Sequence, residues 1–306
     1  MRAVITGATG AVGMALISEL IKRDIQVLVL CREASPRSAR IPTNPLVRKV
    51  DCPLDRMSEL DMGEEKYDMF FHLAWEGTTG AARNDMHLQT RNIKHTVDAV
   101  RLASRLGCRV FMGAGSQAEY GRVSGKLSSS TPAFPENGYG MAKLCAGQMS
   151  RVACRELGMR HVWVRILSVY GPYDGDNSLV MSTVRKLLDG EHCSFTAGEQ
   201  VWDYMYSGDA ARAMVELAEK GRDGGIYCLG SGKTRQLREY IEIMRDKTAP
   251  DAVLGLGDIP YAEGQVMYLC ADTSELEADT GYVPDTEFED GIDKTIEWYK
   301  NERNKR

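Results

Sequence analysis

A tyrosine and a lysine stand four residues apart in Tyr139-Gly140-Met141-Ala142-Lys143, a spacing that turns both side chains to one face at the start of a helix. An ammonium beside a phenol favours the phenolate and draws the phenol down from its ordinary value of about 10 toward neutrality. Tyr139 is therefore a candidate proton donor and acceptor for a carbonyl/alcohol pair. A second candidate, Ser116, lies in Gly113-Ala114-Gly115-Ser116-Gln117-Ala118-Glu119-Tyr120-Gly121, directly after the apolar run 109–112. The carboxyl end of a parallel strand is where open α/β sheets take ligands, and a serine there is placed to hydrogen-bond the reacting oxygen beside Tyr139. Small residues at Gly140, Ala142, Ala146 and Gly147 leave room for a cofactor or another helix. Taken alone, the tyrosine–lysine spacing also suits two solvated side chains, and Ser116 also suits a turn.

A partner for that chemistry is written at the other end of the chain. The apolar run Val4-Ile5 passes into Thr6-Gly7-Ala8-Thr9-Gly10-Ala11-Val12-Gly13, and a helical pattern follows at once. In such a strand–turn–helix unit Gly7 permits the tight turn, Gly10 lets the backbone approach a pyrophosphate, and Gly13 packs helix on strand. The unpaired N–H groups of the first helical turn then meet the phosphates. Selectivity for NAD needs an acid at the end of the second strand, to hold the ribose 2′-hydroxyl. Here Val27-Leu28-Val29-Leu30 ends in Cys31-Arg32, a guanidinium suited to a 2′-phosphate, with Arg37 in reach if its loop folds over. NADP is the expected cofactor and NAD the alternative.

The elements that must position these groups alternate. Apolar runs predict strands at 3–5, 26–30, 69–73, 109–112 and 161–166, with helices at 13–22, 87–106 and 139–157. Alternation of this kind implies right-handed βαβ crossovers and a parallel sheet covered on both faces, and the unbroken apolar runs suit burial on both sides. The expected architecture is α/β, a doubly wound parallel sheet of Rossmann type with a smaller C-terminal α/β substrate lobe. Residues 1–170 form the dinucleotide-binding domain and 201–222 return to it; 171–200 and 223–306 form the substrate lobe.

Composition bounds the rest. A chain of 306 residues, 43% hydrophobic and 26% charged with a formal net charge of −5, is ordinary for a globular protein and carries no basic field for nucleic acid. No apolar run approaches the roughly 20 residues needed to span a bilayer. The N-terminus reads as a core strand, with no room for a cleavable signal. Eight scattered cysteines without a CxxC pair read as reduced thiols of a cytoplasmic protein. Five dispersed histidines give no metal site. His72, at a strand end, reads as structural.

Read in order, the motifs resemble those of the extended short-chain dehydrogenase/reductases, the NAD(P)-dependent epimerase/dehydratase group. The resemblance runs over nearly the whole chain: TGATGAVG at 6–13, VDCPLD at 50–55, FHLAW at 71–75, the helix with Asn92 and Thr96, GAGSQAEYG at 113–121 and YGMAK at 139–143. It continues through VRILSVYGP at 164–172, WDYMYSGDAARAM at 202–214 and ADTSELEADTGYVP at 271–284. It implies that Ser116, Tyr139 and Lys143 form a catalytic triad. Gly7, Thr9, Gly10, Ala11, Val12 and Gly13 would hold the pyrophosphate, with Asp51 and Cys52 near the adenine, Leu73 and Ala74 along the cleft and Lys143 on the nicotinamide ribose. It also implies a homodimer built on the helices around 87–106 and 139–157.

Departures from the pattern narrow the reaction. The group's 4,6-dehydratases carry Asp-Glu after the catalytic hydroxyl residue, whereas this chain has Gln117-Ala118. That leaves a reductase or dehydrogenase of a sugar carbonyl, on a nucleotide-linked sugar, as the leading reading and an epimerase with retained cofactor as the next. A dinucleotide sensor without catalysis is a third, which the intact triad opposes. Nucleotide-sugar members clamp the diphosphate with two arginines, and here those positions align with Trp202 and Ala262. Lys233, Arg235 and Arg238 are candidate substitutes. The alternative is an uncharged sugar, glycoside or cyclic ketone held by Trp202 and Tyr261, with Trp75, Gln117 and Ser168 completing the expected substrate contacts.

Overall fold

The computed structural model describes residues 1–304. Seven strands form one parallel sheet: β1 (Arg2–Thr6), β2 (Gln26–Cys31), β3 (Val47–Asp51), β4 (Met69–His72), β5 (Val110–Ser116), β6 (Arg160–Ile166) and β7 (Gly225–Leu229). Their order is β7-β6-β5-β4-β1-β2-β3, with every neighbouring pair parallel. The order reverses between β1 and β4, so the carboxyl ends of those two strands open the crevice where such sheets take ligands.

Both faces are covered, as continuous apolar strands require. Helices α1 (Ala11–Lys22) and α5 (Ser207–Lys220) bury Leu16, Ile17, Leu20, Met214 and Leu217 against Ala3, Ile5 and Met112. On the opposite face, α2 (Met86–Arg105) and α3 (Gly138–Glu156) pack Ala99, Leu102 and Cys154 against Val4, Phe70 and Phe111.

The smaller lobe has its own core. Helices α4 (Leu179–Leu188), α6 (Leu237–Thr248) and α8 (Phe288–Asn304) enclose Val184, Tyr240, Ile241, Phe288 and Ile292. Short pairings stitch it together: Ser168–Tyr170 with Tyr204–Tyr206, Val201–Trp202 with Arg235–Gln236, and Cys193–Phe195 with Leu254–Leu256.

Two elements lie on the other side of the expected boundary at 223. Strand β7 completes the central sheet beside β6, and α7 (Ser274–Thr280) packs Leu276 into the same core as α5. The Gly and Asp residues flanking β7 read as lobe loops, although the strand between them buries Tyr227, Cys228 and Leu229. Strand β3 was not foreseen at all. As the edge strand it exposes Arg48 and Lys49 and half-buries Val47 and Val50, so it lacks the apolar run that marks an interior strand.

Candidate active site

The glycine turn does what its spacing requires. Gly7 has φ 74°, and a Cβ on it would lie 2.5 Å from the Ala74 nitrogen. A Cβ on Gly13 would lie 2.5 Å from the Gly7 carbonyl oxygen, so strand and helix meet only because both are glycine. Gly10 caps α1 without a side-chain hydrogen bond and faces open space. Above this turn lies a cleft of about 590 Å³, lined by Gly7, Thr9, Gly10, Cys52, Leu73, Ala74 and Trp75. Ala11 and Val12 form the first helical turn, and Ala11 lines a separate hollow with Tyr173 and Tyr206 rather than this cleft.

At the far end of the cleft β2 runs out into Arg32, and the turn Pro36–Arg40 folds back so that Arg32, Ser35, Arg37 and Ser38 line one wall. Arg40 ties that turn to the glycine loop through the Thr9 carbonyl (3.3 Å). Asp51 is absent from the cleft wall; its carboxylate accepts the Glu33 N–H (2.7 Å), fixing the end of β2. A dinucleotide fits these residues: an open glycine turn, an uncapped helix start and cationic side chains at the ribose end.

The three candidate catalytic residues converge where β5 meets α3. Ser116 ends β5, and its hydroxyl accepts the Ala118 N–H (3.2 Å). Asn137 caps α3 by accepting the Gly140 N–H (2.9 Å), which sets Tyr139 in the first turn within hydrogen-bonding reach of Ser116. Lys143, one turn on, is buried and donates to the Ala114 carbonyl (2.6 Å). The pairing expected from the sequence does not hold electrostatically. Burial pushes the Tyr139 phenol up, and only the Ser116 hydrogen bond and Arg83 oppose it. Burial also pulls the Lys143 ammonium down to about 7, which weakens the charge it can set beside the phenol. Its Nζ lies 5.9 Å from the Tyr139 ring centroid but 3.8 Å from that of Trp75.

The small residues of α3 are used by the protein itself. A Cβ on Gly140 would strike the Ala118 carbonyl, and one on Gly147 would lie 2.7 Å from Trp163. Beneath Ser116 sits a charge pair the motifs did not reveal. Glu119 is fully buried and accepts from the Ser116 N–H (2.8 Å), Trp163 Nε1 (3.0 Å) and Arg165 Nε (2.7 Å). A buried carboxylate needs such a full set of donors. The signal was present in the sequence as Glu three residues after a helix-capping Ser, a capping box.

The expected substrate residues divide. Trp75 meets Tyr139 edge-on (6.1 Å between centroids) and donates to Gln89 (2.9 Å). Gln117 follows Ser116, and its buried Oε1 has no partner among the described residues. Trp202 donates to Ser168 (2.8 Å) and lines a second cavity of about 350 Å³ with Leu179, Phe195, Tyr204, Leu237 and Ile241. Tyr261 does not reach it, because its hydroxyl is held by the Glu199 N–H (3.0 Å); Ile259 and Gln265 take its place. No lysine or arginine among the described residues lines this cavity. Lys233 pairs with Glu287, Arg235 with Glu289 (2.5 Å), and Arg238 donates to the Ala197 carbonyl (2.7 Å).

Comparison with known proteins agrees with this geometry. Residues 3–230 match the model of the NAD dependent epimerase/dehydratase family. The chain is 28% identical over 190 residues to the dTDP-glucose 4,6-dehydratase of Escherichia coli, a match spanning 58% of this chain and about half (52%) of that enzyme. It is 24% identical over 305 residues to the dTDP-4-dehydro-6-deoxyglucose reductase of Escherichia coli, covering 96% of each. Its fold superposes on the UDP-glucuronic acid 4-epimerase from Bacillus cereus in complex with NAD with a TM-score of 0.85, at 20% identity over 98% of this chain and 97% of that one.

Proposed function

The chain belongs to the NAD dependent epimerase/dehydratase family, and from that premise we propose that it transfers hydride at a sugar carbon of a nucleotide-linked substrate, with NADP as cofactor. The observation that carries this reading is the meeting of Ser116, Tyr139 and Lys143 at the carboxyl edge of the sheet, beside the glycine-walled cleft. The bound nicotinamide supplies or accepts the hydride. The chain's own part is proton chemistry: Tyr139 donates to the substrate carbonyl oxygen, or accepts from the hydroxyl, while Ser116 hydrogen-bonds that oxygen. The unpartnered Gln117 Oε1 is an acceptor for a neighbouring sugar hydroxyl. Gln117-Ala118 supplies no acid pair for eliminating water, which favours reduction or dehydrogenation first and epimerisation second. The cluster of Arg32, Ser35, Arg37 and Ser38 at the ribose end favours the 2′-phosphorylated cofactor.

A second substrate class, an uncharged sugar or cyclic ketone, is favoured by the absence of a cation in the Trp202 cavity and by the engagement of Lys233, Arg235 and Arg238 elsewhere. The protein is further proposed to be cytoplasmic and to pair as a homodimer through α2 and α3, where Met141, Met149 and Val152 are exposed along one helix.

The test is a panel of nucleotide-linked and free keto-sugars followed by cofactor absorbance. Net oxidation of NADPH identifies a reductase, and inversion without net change identifies an epimerase. If UDP, CDP, GDP and dTDP all fail to raise the melting temperature of the NADP-loaded protein, the uncharged class replaces the nucleotide-linked one.

A further inference from the structure

The segment between β4 and α2 brings a cation to the catalytic phenol. It bends at Gly77 and Gly80 (φ 71° and 58°) and closes in the 3-10 turn Gly80–Asn84. Two buried amides of α2 hold it from below. Gln89 Nε2 donates to the carbonyls of Gly77 and Ala82 (2.9 Å each), and Asn92 bonds both backbone groups of Glu76 (3.0 and 2.9 Å). The turn is also fastened to the start of α3. Asn84 Oδ1 accepts the Gly138 N–H (3.0 Å), and the Arg83 carbonyl lies where a Cβ on Gly138 would come within 3.0 Å of it. Tyr139 is the next residue. The outcome is a guanidinium carbon 4.4 Å from the Tyr139 ring centroid, steadied by a bond from Arg83 Nη1 to the Thr78 carbonyl (3.2 Å).

We propose that Arg83 is a positioning residue for the catalytic tyrosine: its guanidinium lies against the ring and stabilises the negative charge left on Tyr139 when the proton passes to the substrate oxygen. The inference rests on Tyr139 as the acid/base of the proposed function. A guanidinium stays charged at every working pH and stacks on aromatic faces. Lys143 is farther from the ring, donates to a carbonyl, and is brought down to about 7 by burial. The other groups bearing on the phenol come from the β5–α3 side, where the Glu119 charge pushes it up and the Ser116 hydroxyl, as a hydrogen-bond partner, pulls it down. Arg83 is thus the permanent charge set against burial and Glu119.

The experiment replaces Tyr139 with 3,5-difluorotyrosine, whose phenol ionises near neutrality and whose ¹⁹F resonance reports its charge. The titration is made with Arg83 intact, with Arg83→Lys and with Arg83→Gln. Arg83→Gln is expected to raise the ionisation midpoint by roughly one to three pH units, the range for an opposite charge about 4–6 Å away. Arg83→Lys regains part of that shift, with NADP affinity and melting temperature unchanged. Equal midpoints in the three proteins overturn the proposal. A midpoint that moves with Lys143→Met and not with Arg83→Gln also overturns it and returns the role to the lysine. Should Arg83→Gln prove unstable, Arg83→Met takes its place in the titration with the same two outcomes. The resonance needs no substrate, so an unmoved midpoint leaves the proposed function intact, and silence toward every sugar leaves the Arg83 result readable.

Discussion

The floor of the cleft over β1 is main chain: Gly7 presses on Ala74, Gly10 stands open, and α1 starts without a side-chain cap. Side chains rise around that floor, Arg32, Ser35, Arg37 and Ser38 at one end and Asp55, Arg56, Trp75, Glu76, Arg91 and His95 along the rest of the wall. The cavity beside Trp202 is the reverse. Its walls are side chains from α4, α6, the Cys193–Phe195 strand and the 259–265 loop, and the described lining carries no cation. Main chain offers N–H groups and a dipole to any phosphate, so the glycine floor suits dinucleotides in general, and discrimination among them falls to the side chains around it. Side chains define shape and polarity, so the second region is selective throughout. One chain thus joins a cleft with a main-chain floor to a cavity made of side chains.

The sharpest way to separate the two regions is to disable the chemistry between them. Tyr139→Phe should lower turnover by roughly 10²–10⁴-fold, the loss expected for a positioned proton donor, while NADP affinity measured by titration stays within error. Near-normal turnover would remove Tyr139 from the mechanism. The next effect concerns stability. His72, held between Thr6 and Thr96, and His161, held by Ser150, are brought down to about 3 and about 4 by burial. Below about 6.5 the unfolded chain therefore binds protons that the folded one refuses, and stability is lost as pH falls from about 6.5 toward 4. Both histidines belong to the large lobe, whereas His192 of the smaller lobe is exposed and paired with Asp258. Urea midpoints should drop by the equivalent of about 2–4 kcal/mol between pH 7 and pH 5, with amide exchange accelerating first in the central sheet. A pH-independent midpoint contradicts this. The smallest effect sharpens the cofactor rim: Arg32→Ala should weaken NADP roughly 10- to 100-fold, the range for charge-assisted hydrogen bonds, and leave NAD nearly unchanged. A wild-type protein that binds NAD more tightly than NADP would overturn the NADP reading.

Legibility followed the same division. Five of the seven sheet strands, α1 to α3 and the glycine turn could be read because each is encoded within a short contiguous stretch. The electrostatics of Tyr139 and Lys143 could not, since their four-residue spacing says nothing about burial, and burial is the largest influence on both groups. Arg83 was hidden because it reaches Tyr139 across 56 positions through a turn whose anchors, Gln89 and Asn84, look like ordinary polar residues. Tyr261 failed as a cavity residue for a matching reason: an aromatic in a glycine-flanked loop has no periodicity to fix its direction, and the Glu199 amide claimed it. Edge strand β3 lacked the apolar signature that the interior strands carry.

Trp163 has a consequence for how this chain can change over generations. Its indole occupies space that a Cβ at Gly113, Gly115 or Gly147 would need, and its Nε1 donates to Glu119. Five positions spread over β5, the turn Gln117–Glu119, α3 and β6 therefore behave as one heritable unit. Enlarging any glycine collides with the ring, and shrinking the ring leaves a hollow and takes one of its three donors from the Glu119 carboxylate. Drift at these sites must be concerted or not occur, so a lineage that has traded Trp163 for a smaller residue should show larger residues at 113, 115 or 147, while 119 and 165 stay a charge pair or change together. Such covarying sets would mark, among distant relatives, those that still seat the serine at 116 on the same buried charge.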